Sequence, residues 1–284
     1  MSDPNELTGA PAWAPVGSTV QRVEFATERT AGQTVLMEFP APVNRLAVLA
    51  DGTAPEKEKA QPHDERLVVL SVPGVAHEDA DLLSRARDWV DASALGGTPS
   101  QVLTLQGAVL VWAQGRTAVL APAERLDAVT RALIEFAYYD AELRAVEREL
   151  GALWPHLTAD APLAFEFNER SVRGRRRLAE RFQQVLALRA RLARITPHVL
   201  CPHVHPPTLA SQVGERLRER ARLAHRLESV GGQMEVFERV YEACGQRASD
   251  FVLARTGHTL EWVIIILLLT QTILFAVELL TRGK

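Results

Sequence analysis

The sequence predicts an α+β protein, in which a small N-terminal α+β domain precedes long helices of a bundle or coiled coil and one C-terminal transmembrane helix. Short runs from about residue 18 to 120 alternate apolar and polar positions, as strands do. After Pro122 the apolar spacing changes to three and four, which is the helical period. The segment 262–280 is almost wholly apolar. These signals predict a flexible lead (1–17), an α+β domain (18–120), a helical domain with a coiled-coil-like last helix (121–257) and a transmembrane anchor (258–284).

Seven strand-like segments and one helix make up the predicted α+β domain. The helix covers 78–95 and places its leucines on one side. The charged, proline-containing segment 51–65 is predicted to be a solvated loop, and 107–122 a hairpin that turns at AQGR. The predicted strands are 20–25, 33–39, 44–50, 66–72, 101–106, 107–114 and 116–121.

Three helices are predicted after this domain. The first follows Pro122 and ends near Trp154 and Pro155, because proline lacks the amide that a helix interior needs. The second runs from about Asn168 to Ile195 and stops before Pro197. The third begins near Pro207 and is expected to run without interruption into the C-terminal segment.

The third helix carries a regular apolar seam, whose members are spaced alternately by four and three residues over four heptads. Such a pattern indicates either a coiled coil between copies of the chain or one buried face of an intrachain bundle. Gly231, Gly232 and Gly245 weaken the pure coiled coil. The seam consists of Leu223, Leu227, Val230, Met234, Phe237, Tyr241, Cys244, Ala248 and Phe251.

The C-terminal apolar segment is long enough to cross a hydrocarbon core, which takes about 20 residues. Trp262 suits one interface, and Arg282 and Lys284 can reach the other. An acidic, proline-containing N-terminus and two distant cysteines argue against export. We therefore predict a single-pass tail anchor in the cell inner membrane with the soluble body in the cytoplasm. The alternative is a buried core or oligomerisation helix.

Polar residues interrupt this segment in a pattern. Glu261, Gln271 and Glu278 lie at spacings of ten and seven residues, which places them on one stripe of a helix. Because a polar stripe in a membrane helix usually faces protein, it predicts a contact between copies of a homo-oligomer.

Four potential metal ligands lie within eight residues, at His198, Cys201, His203 and His205. Imidazole nitrogens and thiolates are good zinc donors. The segment lacks a C-x2-C or H-E-x-x-H spacing, so an ordinary interhelical loop is the alternative, and no cofactor is predicted.

Positive charge is concentrated between residues 170 and 226, where fourteen arginines stand against three glutamates. Arginines of this kind can neutralise the phosphates of RNA or the headgroups of an anionic lipid surface. The candidate binding residues are Arg173, Arg175, Arg176, Arg177 and Arg181. The alternative is pairing with acidic residues of the first helix, of which Glu142, Glu147 and Glu149 are available.

No catalytic motif is present in the sequence: it has no Walker loop, no G-x-S-x-G, no dinucleotide fingerprint and no paired-histidine motif. We therefore expect a protein that is not an enzyme.

Two segments resemble a known family. They are GAVLVWAQGR at 107–116 and RTGHTLEWVIIILLL at 255–269, with Leu-Glu-Trp followed by consecutive isoleucines as the most specific match. Over roughly 100–280 the chain resembles the uncharacterised membrane proteins that include the yeast sporulation proteins and the human mitochondrial protein required for meiotic nuclear division. The resemblance implies a homo-oligomeric membrane protein, and mitochondrial members are linked to support of translation. CPHVHPPT stands where that family usually has an aromatic and acidic stretch.

The expected function is a tail-anchored, self-associating scaffold or tether for a cytoplasmic partner, with ribosome or RNA as a possible partner. One alternative is a subunit of an ion-transport assembly, since long helices entering a membrane also describe CorA-type magnesium channels. The absence of a second span and of a Gly-Met-Asn motif counts against it. Another alternative is a metal-binding protein that uses the His198 to His205 segment.

Overall fold

The computed structural model describes residues 9–50, 66–74, 79–92, 99–165, 174–201 and 207–282, with side chains described up to Phe275. The chain divides into two units by its internal contacts. The first unit is Met1–Arg148 with Ala190–Val230, and the second is Glu149–Arg189 with Gly231–Lys284.

A seven-stranded sheet forms the centre of the first unit, in the order β2-β3-β1-β4-β7-β6-β5. Neighbouring strands are antiparallel except β4 and β7, which run parallel and pair Leu70 with Ala118. All seven predicted strands are confirmed. Their bounds are β1 Thr19–Ala26, β2 Val35–Phe39, β3 Arg45–Leu49, β4 Arg66–Pro73, β5 Gln101–Leu105, β6 Ala108–Ala113 and β7 Arg116–Ala121.

One face of the sheet is covered by α1 (Ala80–Asp91), the helix predicted at 78–95. Its N-terminus is capped by Asp79, whose carboxylate accepts hydrogen bonds from the amides of Asp81 and Leu82. Trp13 packs against the core beneath it. The buried members of this core are Leu70, Val72, Ala86, Val90, Val109, Val111, Ala113, Ala118 and Leu120.

The opposite face carries aromatic side chains that pack on α2 (Ala123–Asp160). Trp112 lies edge-on to Phe136 with ring centroids 5.0 Å apart. The rings of Phe25 and Phe39 pack against Tyr138, with ring centroids 5.1 and 4.3 Å away. Because helices cover both faces, β6 is buried along its whole length rather than at every second residue.

The predicted end of α2 at Pro155 is wrong, because the helix continues to Asp160 and leads into a 3-10 turn at Ala161–Ala164. Contacts on both sides of the proline offset its missing hydrogen bond. The Trp154 ring packs on Phe237 at 4.9 Å, and Leu157 is buried.

The predicted stop before Pro197 is also wrong, since α3 spans Arg175–Val199. Val199 is buried, and the His198 ring stacks on Tyr139 at 5.2 Å, so tertiary packing stabilises the last turn beyond the proline. The predicted start of this helix near Asn168 lies outside the described residues.

The third predicted helix is interrupted, which corrects the expectation of one continuous helix from Pro207. Helix α4 (Leu209–Arg220) begins after Thr208, whose hydroxyl accepts from the Ser211 amide. The chain then turns at Arg222, which has a positive φ of 51°. Leu217 and Leu223 are both buried, yet residues six apart lie about 120° apart around a continuous helix. The turn lets both reach the core.

From Leu223 the chain forms one helix, α5 (Leu223–Arg282). Most of the predicted apolar seam is buried within the chain, including Val230, Met234 and Ala248. Phe237 and Tyr241 contact Trp154 and Phe182 of the same unit. The seam therefore serves as one face of an intrachain helical bundle.

Candidate membrane anchor and arginine-rich surface

The C-terminal half of α5 is an exposed apolar helix. Every described side chain from residue 252 to 275 is exposed, and none of its most apolar stretch is buried. Trp262, Leu268 and Phe275 are 59%, 58% and 66% exposed. The helix is long and apolar enough to cross a membrane. A surface of this size in water is unfavourable, which makes the segment a candidate membrane span.

The polar side chains within this segment differ in whether they have a hydrogen-bond partner. Thr270 and Thr272 donate to the carbonyls of Ile266 and Leu268 at 2.8 Å, so their hydroxyls are paired within the helix. Gln271 has no hydrogen-bond partner among the described residues. Glu261 lies 3.1 Å from the Nδ1 of His258 at the start of the segment, and the Glu278 side chain lies outside the described residues. Gln271 is thus a polar side chain of the described segment that its own helix does not pair.

Two of the predicted phosphate-binding arginines contact a buried carboxylate: Arg181 is 18% exposed at its side chain, and Arg177, at 59%, also faces solvent. Asp160, only 1% exposed, accepts from Arg181 and lies 3.3 Å from Arg177. Arg181 is also 3.3 Å from the Nδ1 of His156. A carboxylate this deeply buried requires such partners, so these two guanidinium groups stabilise the second unit.

The other two described members of that cluster face solvent and do not contact Asp160. Arg176 is 94% exposed at its side chain and lies 3.2 Å from Glu180, one turn along the helix. Arg175 is exposed as well, and Arg173 lies outside the described residues. An exposed ion pair one turn apart contributes little, so the Arg175 and Arg176 side chains are accessible to an external anion.

A second buried carboxylate, Asp140, organises the charges of the first unit. Its two oxygens lie 2.7 Å from Arg226 and 2.9 Å from Arg144. Arg226 also forms two hydrogen bonds to Glu147, at 2.7 and 2.8 Å. Burial alone would lower the pKa of Arg226, but the hydrogen bonds from Glu147 and Asp140 raise it above its ordinary value. The Arg226 guanidinium group therefore stays charged at physiological pH.

Other arginines of the basic region also pair with glutamates, in one case with the first predicted helix and in another within the same helix. Arg191 lies 2.7 Å from Glu142, and Arg216 lies 2.8 Å from Glu219. Arg220 instead donates to the Val102 carbonyl at 2.5 Å. Much of the positive charge is therefore used to connect elements of the body.

Only two of the four predicted metal ligands are described. His198 stacks on Tyr139 with the rings nearly parallel, and Cys201 is exposed beside a groove of about 900 Å³. His203 and His205 lie outside the described residues. Zinc binding by this segment stays a prediction.

Cys244 is fully buried and lies 3.7 Å from the Asp160 carbonyl. Burial, together with the charge of Asp160, raises the pKa of the thiol. A thiol that stays protonated and inaccessible is a poor nucleophile, and Cys244 is buried as a member of the apolar seam.

Of the two buried aspartates, only Asp140 could be recognised as buried from the sequence. Asp140 occupies a core-facing position between Phe136 and Leu143 in the apolar series of α2, and a charge at such a position is itself a signal. Asp160 follows the proline where the helix was predicted to have ended, so no local pattern marks it.

The fold and the exposed helix together define an α+β protein with one candidate membrane span in its described part. No family model matches the chain, and no curated protein matches it. Among solved structures, the chain is similar to one described as the structure of the full-length CmaX protein. The two share 14% sequence identity with a TM-score of 0.38, over 78% of each chain. Similarity at this level supports no argument about function.

Proposed function

We propose that this protein is a tail-anchored scaffold that holds a partner at the cytoplasmic face of the inner membrane. The exposed apolar half of α5 supports the proposal most directly, because no other described part of the chain covers it. In the proposed arrangement α5 continues from the folded body directly into the bilayer, with the body in the cytoplasm. The proposed role is one of binding and positioning and includes no catalytic step.

Self-association through the membrane helix is the second part of the proposal. A side-chain amide without a partner in hydrocarbon favours helix pairing by roughly 0.6–2 kcal/mol. Gln271→Leu should therefore weaken the association constant by about threefold to thirtyfold in mild detergent. Analytical ultracentrifugation over a concentration series measures this change.

Thr270→Val provides the matched control, because the Thr270 hydroxyl already donates to Ile266 within its own helix. It should leave the association constant unchanged. A Gln271→Leu protein that associates as strongly as the wild type would remove Gln271 from the proposed contact.

The third part of the proposal concerns the partner. Arg175 and Arg176 present exposed guanidinium groups at the start of α3, a surface suited to the phosphates of RNA. The resemblance to a family linked to translation is the reason to examine ribosomal RNA first. Anionic lipid is the other phosphate-rich partner within reach of a membrane-anchored body.

Arg175→Glu with Arg176→Glu should reduce the RNA that co-purifies with the detergent-extracted full chain by at least about tenfold, since reversed charges repel phosphates. RNA sequencing and mass spectrometry of the eluate measure this. Arg85→Glu with Arg87→Glu is the matched control, as these α1 side chains are 51% and 52% exposed and give the same change in net charge. Equal losses in both variants would show that only net charge matters, and RNA absent from the wild-type eluate would contradict the proposed RNA partner.

A further inference from the structure

A small polar cavity in the first unit lies where β3, α2 and α3 meet. Its volume is about 60 Å³, and its charged lining consists of Arg45, Arg191, Arg194 and Glu142, together with Tyr138. Three positive charges against one negative leave a formal excess of two. The elements that supply these side chains are far apart in sequence, so the fold itself brings the guanidinium groups together.

The single carboxylate is already engaged by one of the three arginines. Glu142 lies 2.7 Å from the Nε of Arg191. Arg45 donates to the uncharged hydroxyl of Thr27 at 3.1 Å. Arg194 is exposed, and neither Arg45 nor Arg194 has a carboxylate partner among the described residues. Two positive charges at this cavity therefore have no counter-charge within the described part of the first unit.

Tyr138 forms a rigid wall of the cavity, because its ring is buried against Phe25 and Phe39. Burial, together with the charge of Glu142, raises the Tyr138 pKa to about 12, although Arg45, Arg191 and Arg194 act in the opposite direction. The hydroxyl is thus neutral at physiological pH and can donate a hydrogen bond. The influence of all three arginines on this one hydroxyl is a second sign that they converge.

We propose that this cavity, here called the Arg45 cavity, binds the phosphoryl group of a phosphomonoester or of inorganic phosphate. Guanidinium groups form bidentate, charge-assisted hydrogen bonds to phosphate oxygens. A phosphomonoester with a second pKa of about 6 carries nearly two charges at pH 7, which matches the uncompensated charge of the site. The volume suits one phosphoryl group, and the exposure of Arg194 leaves room for the rest of the ligand in solvent.

The charge of the site also favours a phosphomonoester over a phosphodiester. A phosphodiester, as in an RNA backbone or most phospholipid headgroups, carries one charge and presents two esterified oxygens. It would leave one of the two uncompensated positive charges without a counter-charge. The cavity is lined by residues other than Arg175 and Arg176 and would bind a different class of phosphate ligand. This inference does not depend on the proposed scaffold role.

Isothermal titration calorimetry of the detergent-solubilised full chain at pH 8 and constant ionic strength tests this inference, with inorganic phosphate, methyl phosphate and dimethyl phosphate as probes. We expect saturable binding of the first two at one site per chain and at least about tenfold weaker binding of dimethyl phosphate. Arg194→Gln should weaken phosphate binding by at least about tenfold, since a hydrogen bond to a charged group is lost. Arg45→Gln should do the same.

Arg85→Gln is the control, because it removes one positive charge from an exposed side chain of the same unit, away from the cavity. It should bind phosphate as the wild type does. Because Arg194 is exposed, its variant should keep the wild-type melting temperature, so loss of binding cannot be attributed to unfolding. Absence of saturable phosphate binding, equal affinity for dimethyl phosphate, or full binding by Arg194→Gln would each overturn the inference.

Discussion

Replacing Leu269 and Ile273 with arginine should release the protein from membranes. These side chains are 58% and 55% exposed and lie within two residues of the centre of segment 262–280. Each arginine near the bilayer centre costs about 2.5–3.5 kcal/mol on the insertion scale, so the pair costs roughly 5–7 kcal/mol. We expect most of the double variant in the soluble fraction after carbonate extraction, and nearly all of the wild type in the membrane pellet. Quantitative immunoblotting of the fractions measures the difference.

The control places the same two arginines on the folded body. Leu186 and Val236 are exposed to a similar extent, 44% and 46%, and lie before the candidate span. Leu186→Arg with Val236→Arg should leave the protein in the membrane pellet. If the Leu269 and Ile273 variant stays in carbonate-washed membranes, α5 is not the anchor.

Asp140→Ala should destabilise the folded body by about 3–5 kcal/mol, which is the typical cost of removing one partner from a buried ion pair. The change leaves Arg144 without its 2.9 Å contact and leaves Arg226 with Glu147 alone. For a body of this size, the loss corresponds to a fall of order 10 °C in melting temperature. Thermal unfolding of the detergent-solubilised full chain, followed by circular dichroism, measures it.

Asp127→Ala is the matched control on the same helix. Asp127 is 80% exposed and lies 3.1 Å from Arg131, one turn away. An exposed pair of this kind is worth about 0.3–0.5 kcal/mol, so the melting temperature should change by no more than about 2 °C. Equal effects of the two substitutions would mean that the Asp140 cluster contributes no more than a surface pair.

Elements could be predicted when the residues that determine them lie close together in the sequence. The seven strands and α1 were all predicted, because alternation and helical periodicity are visible within a window of a few residues. The candidate span was visible for the same reason. The ends of α2 and α3 were not, because Pro155 and Pro197 end a helix only when nothing else stabilises the next turn. In this chain Trp154 packs on Phe237 beside Pro155, and Val199 is buried just after Pro197, so both helices continue.

The candidate sites could likewise be predicted only in part, because their contacts join residues that are distant in the sequence. Sequence alone showed that arginines are concentrated in 170–226, but it could not distinguish Arg181, which binds a buried aspartate, from Arg176, which faces solvent. Nor did it draw attention to Arg45, an isolated residue of a strand that meets Arg191 and Arg194 only in the folded chain.

Local sequence patterns were enough to predict the α+β class, the order of the elements and the apolar C-terminal helix, since each depends on residues close together in the chain. Three features became visible only in the folded chain: the break at Arg222, the assignment of the seam to an intrachain bundle, and the partners of the charged side chains. These features depend on residues that are distant in the sequence. Arg226 and Asp140, for example, are 86 residues apart, and no local pattern encodes their contact. Only the packing of α5 beside α2 brings that pair together.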